Sequence, residues 1–136
     1  MEAIIMIGRI IFSLMFIASG VGHLAQTADS AAYAESKGLS NATLMVQVSG
    51  VALLLGGLGV ITGFWIDLAL LGLAALLLIM GVTMHAFWKL EGQEQQNEMA
   101  MFMKNLTLAG ACIVMFGFFA YGWDATTIVG PALDLS

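Results

Sequence analysis

Between Ala3 and Tyr121 the sequence falls into four apolar runs, about residues 3–24, 42–62, 66–88 and 98–121. Each is near the roughly 20 residues that cross a bilayer core as a helix. In lipid the backbone polar groups must be satisfied within the segment, so such runs predict helices. Short connections between them predict antiparallel neighbours. The composition agrees, with 60% of the 136 residues hydrophobic and only 10% charged, more apolar than ordinary soluble domains. The reading is therefore all-α: an integral membrane antiparallel four-helix bundle filling residues 1–136 as a single domain, with both termini at one face. The first run reads as a retained span and not as a signal peptide, because Met1 and Glu2 give no basic leader and the stretch is long.

Local signals set the boundaries. Gly38 can close a short helical piece over about residues 29–37, and Ser40 and Asn41 are natural N-caps for the second span. Gly63 ends that span, and residues 63–67 read as a tight hairpin. A polar stretch, 89–97, follows the third span, after which Met99, Phe102, Met103 and Leu106 recur at helical spacing. The fourth helix is thus expected to start before the membrane with an amphipathic turn. Lys37, Lys89 and Lys104 sit in or beside the two loops of one side, which the positive-inside rule assigns to the cytoplasm, with both termini outside.

Polar residues inside such spans are costly and face protein or a cavity rather than lipid. Arg9, Ser13, Phe16, Gly20 and His23 step by four, three, four and three along the first span, which places them on one helix face. On the third span Asp67, Leu71, Ala74, Leu78, Gly81 and His85 do the same. A buried arginine needs a partner, so Arg9 and Asp67 are expected to form a structural polar pair, with Asp124 as competitor. Because the spans alternate in direction, His23, His85, Trp88, Glu98, Lys104 and Asn105 gather at the opposite face. The ligand-binding candidates are His23, His85, Trp88, Lys104 and Asn105.

Other features read more plainly. The net charge of −5 argues against a nucleic-acid partner. Cys112 is the only cysteine and lies mid-span, so it is read as a packing residue with no disulfide chemistry of its own. Gly50, Gly56, Gly57, Gly59 and Gly63 are read as a close-packing face. Trp65, Phe87, Trp88, Tyr121 and Trp123 fit an interfacial aromatic belt, with Trp88 beside His85 also able to wall a ring-binding pocket. Two imidazoles at one depth allow three active readings: axial ligands of haem, a metal site with Glu98, or hydrogen bonds to a quinone carbonyl. No HxxxH or HExxH pattern and no second acidic ligand supports a metal, and none is assigned.

The run His85-Ala-Phe-Trp88, followed by a polar loop, Phe102-Met-Lys104-Asn105-Leu106 and Gly110, resembles the signature of one branch of the DoxX family. Gly8-Arg9 with Phe16, Gly20 and His23, the 33–38 loop, and Gly56-Gly57 with Gly63 fit it too. The resemblance implies a small four-helix bundle of the bacterial or archaeal cytoplasmic (inner) membrane. It implies no settled activity. The family's name comes from a subunit of thiosulfate and quinone oxidoreduction, which makes quinone the first candidate cofactor, ahead of haem. Many members carry an acidic residue near the middle of span two, where this chain has Gln47, Ser49 and Val51. Three expectations follow. The chain is a quinone-associated redox or electron-transfer component, an oxidoreductase part with no redox centre of its own; or a non-catalytic subunit or assembly factor whose partner is another membrane protein or a second copy; or a binder of lipid or quinone without turnover.

Overall fold

The structure, a computed structural model, describes residues 2–121, 129, 130, 132 and 133. Five helices carry the chain: α1 (Glu2–Ala25), α2 (Thr27–Ser36), α3 (Ala42–Thr62), α4 (Ile66–Met84) and α5 (Gly92–Ala120), with a 3-10 turn at Phe87–Lys89. Four of them, α1, α3, α4 with the following turn, and α5, are long and apolar enough to cross a membrane. Their outward faces carry large aliphatic side chains, such as Ile4, Leu55, Ile79 and Val114. Lipid is the solvent that suits such a surface.

The helices follow the sequence pattern with instructive differences. The turn between α3 and α4 needs only Gly63, Phe64 and Trp65, shorter than the expected five residues. It closes because Gly63 and Trp65 both take left-handed backbone, at φ 76° and 43°. Gly38, at φ 88°, ends α2 as expected. Asn41 occupies the N-cap position of α3, but in left-handed geometry and without a side-chain capping bond. The α-helix of the third span stops at Met84, since His85 leaves helical geometry, and the 3-10 turn carries the span on to Lys89. The fourth helix begins six residues earlier than Glu98, so its first turns are the polar 92–97 stretch.

Packing pairs α1 with α3 and α4 with α5, and the α3–α4 contact joins the pairs, while α2 lies across α3. The core draws Phe16 from α1, Leu53 and Val60 from α3, Leu70 and Leu73 from α4, and Cys112 from α5. Cys112 is fully buried there as packing. The glycines of α3 serve contacts inside the chain. A Cβ on Gly57 would meet Ile17 at 2.8 Å, one on Gly56 would meet Leu73 at 2.6 Å, and one on Gly59 would meet Ala69 at 2.7 Å. Gly20 of α1 approaches so near that its Cβ would sit 2.8 Å from the Gly50 carbonyl. Close backbone approach replaces the hydrophobic drive that lipid removes. The α3 glycines thus serve close packing against α1 and α4, as their spacing suggested.

Candidate functional site

At one end of the bundle two charged residues bury themselves on backbone. α3 ends at Thr62, so the carbonyls of its last turn lack intrahelical partners. Arg9, 1% exposed, donates from Nε to the Val60 carbonyl at 2.7 Å and from Nη2 to the Ile61 carbonyl at 2.8 Å. Its guanidinium also lies 5.9 Å from the Phe119 ring centre. A cation at a helix C-terminus further suits the dipole. Asp67, fully buried in the first turn of α4, accepts backbone N–H groups of Ala132 at 3.0 Å and Leu133 at 2.7 Å.

The expected pairing of Arg9 with Asp67 is therefore corrected. Among the described residues no ion pair joins them. The physical reason is that each charge meets unsatisfied peptide groups, Arg9 a helix end and Asp67 the returning tail. Asp124 lies outside the described residues.

The opposite end is built differently. Glu98, 9% exposed on α5, receives donors on both oxygens. Lys37 Nζ lies 2.7 Å from Oε1, the Tyr33 hydroxyl donates to the same oxygen at 3.2 Å, and His85 Nδ1 lies 2.6 Å from Oε2. Tyr33 and Lys37 are four apart on and just after α2, hence on one face, and His85 caps the end of α4. One carboxylate thus ties α2, α4 and α5 together. The hydrogen bond to Glu98 holds the Lys37 ammonium above the usual lysine range. Burial, and then the negative charge of Glu98, push the Tyr33 phenol up.

His85 has its Nδ1 fixed by the carboxylate, and its Nε2 has no hydrogen-bond partner among the described residues. Only Ser13 Oγ, among the described residues, is both fully buried and unpartnered, so the His85 Nε2 is reached from outside. A carboxylate that orients an imidazole leaves the second ring nitrogen defined for a ligand. Beside it Phe87, Trp88 and Phe102 form an edge-to-face group, with Trp88 to Phe102 at 5.9 Å, and Trp88 is 51% exposed.

The other sequence candidates take separate places. His23 Nδ1 lies 3.0 Å from Ser49 Oγ on α3. Asn105 is buried on α5 next to Gly81 of α4. Lys104 is exposed and lies outside the carboxylate cluster. The close contacts grade the helices by depth: His23 sits beside Gly50, while the pairs Gly56–Leu73 and Gly59–Ala69 make Gly50 level with about residue 78 of α4. His85 is thus about 10 Å further along the bundle, at ~1.5 Å per residue. By these contacts the two imidazoles lie at different depths along the bundle. Among the described residues no three His, Cys, Asp or Glu side chains converge as a metal site.

Sequence reasoning missed Tyr33 and Lys37 as members of this cluster. Their four-residue spacing was visible, but not which way α2 would turn. Glu98 was placed at the right face without its partners. The Trp123 assigned to the aromatic belt lies outside the described residues.

Fold and site define a four-span helical membrane protein with a short fifth helix pinned to one end by a shared carboxylate. Residues 4–86, more than half of the chain, match the model of the DoxX family, and the chain belongs to that family. The matched stretch includes His23, Lys37 and His85 and stops before Trp88, Glu98 and Asn105. No curated protein and no solved structure matches the chain significantly.

Proposed function

We propose that this DoxX protein holds the head group of a quinone at the face where Glu98 and His85 meet, as an accessory component of membrane redox chemistry. The observation that carries this reading is the His85–Glu98 contact at 2.6 Å, with Nε2 left to a ligand and the half-exposed Trp88 beside it. Imidazole in a fixed tautomer suits a carbonyl or phenolic oxygen, and an aromatic wall suits a flat ring. A membrane-soluble carrier reaches such a site from the bilayer. As an accessory component, the protein would pass electrons between the quinone and a partner.

The test is the quinone content of protein purified in native lipid, by mass analysis, for the wild type, His85→Ala and Trp88→Ala. The reading predicts quinone on the wild type, and its loss in both variants while the helical content stays. Quinone absent from the wild type, or held equally by all three, would overturn it.

A further inference from the structure

The donors that converge on Glu98 also fix what His85 can offer a ligand. The Lys37 ammonium lies 2.7 Å from Oε1, and the Tyr33 hydroxyl donates to the same atom at 3.2 Å. A carboxyl group bridged so closely to an ammonium is ionised, and an ionised carboxylate only accepts hydrogen bonds. The contact of 2.6 Å between Oε2 and His85 Nδ1 therefore has its proton on the nitrogen. A neutral imidazole with its proton on Nδ1 keeps a bare lone pair on Nε2.

A second proton on the ring would need a charge to balance it. Glu98 carries one negative charge, and Lys37, held above the usual lysine range by its hydrogen bond to that carboxylate, already offsets it. Tyr33 adds a neutral hydroxyl, because burial and then Glu98 push its phenol up. No net negative charge remains within the cluster to hold a proton on Nε2, which is thus an acceptor.

An acceptor tells the two forms of a quinone apart. The oxygens of the oxidised ring only accept, so a carbonyl placed against Nε2 sets lone pair against lone pair. Reduction by two electrons and two protons turns each carbonyl into a hydroxyl, which donates. A polar site rejects a ligand that leaves its groups unmatched. We infer that the His85–Glu98 pair selects the reduced, hydroxyl-bearing form, the hydroquinone, over the quinone. This inference rests on the quinone reading above and adds the direction of its hydrogen bond. Glu98 and Lys37 are positioning residues in it: Lys37 keeps the carboxylate ionised, and the carboxylate keeps the proton on Nδ1.

Two measurements on the full chain in lipid nanodiscs test it. Nitrogen NMR of the isotope-labelled protein at neutral pH, without ligand, should show His85 Nδ1 protonated and Nε2 bare. A protonated Nε2 would overturn the inference and leave the quinone reading standing. Calorimetry without oxygen then compares a short-tailed benzohydroquinone, its benzoquinone and its dimethyl ether, which keeps the ring and loses both donors. The hydroquinone should bind at least about tenfold more tightly than either. In Lys37→Met the carboxylate charge is free to hold an imidazolium, so Nε2 should gain a proton and the preference should vanish; a purely structural lysine would change neither. Quinone bound as tightly as hydroquinone by the wild type, or an unchanged preference in Lys37→Met, would refute the selection while keeping the quinone site. Binding of neither form would remove the quinone reading itself, and the preference with it.

Discussion

The two ends of the bundle use charge in opposite ways. At the Arg9 and Asp67 end each charged group bonds peptide groups, Arg9 the Val60 and Ile61 carbonyls of α3 and Asp67 the amides of residues 132 and 133. At the Glu98 end charged and titratable side chains meet one another, across three helices, with a ring nitrogen still open. Side chains that complete helix ends are fixed by the fold and offer nothing to a ligand. Side chains that satisfy one another can exchange partners when a ligand or proton arrives. The first end therefore reads as structural, and the second as the place where binding can be coupled to the position of α2.

Substitutions at three positions probe that contrast. Arg9→Leu should have the largest effect, because it strands two buried carbonyls at about 1–3 kcal/mol each. Unfolding in detergent should show a loss of about 2–5 kcal/mol, and Arg9→Lys should recover only part, since an ammonium lacks the planar fork. A loss near zero would remove the structural reading of that end. Glu98→Gln should cost less, about 1–3 kcal/mol, by weakening three donors at once. Its signature is local: amide exchange in α2 should quicken while the last turn of α3 is unchanged. Equal quickening at both ends would erase the distinction. Ser13→Ala should be the smallest change, neutral or stabilising by up to about 1 kcal/mol, because it removes a hydroxyl that is buried and unpartnered. A clear destabilisation would show that the hydroxyl is engaged.

Much of the architecture was legible in the sequence because lipid makes the rules strict. Four apolar runs of spanning length, with Gly38 and Gly63 as stops, give the helices and their order almost directly. The stripe of Arg9, Ser13, Phe16 and Gly20 correctly marked the inward face of α1. What periodicity does not encode is how far each helix slides along its neighbours. That sliding set His23 and His85 at different depths, and close contacts at Gly50, Gly56 and Gly59 fix it. Charge pairing was misread for a related reason. Residue types suggested that Arg9 would seek Asp67, whereas the carbonyls freed where α3 stops at Thr62 were an acceptor that no pattern of side chains announces.

The most direct test of the contrast is hydrogen exchange of the whole chain in lipid nanodiscs, with and without added quinone. The account predicts added protection in α2 and around residues 84–98, with no change at residues 58–67. Protection centred on residues 58–67, or none anywhere, would contradict it.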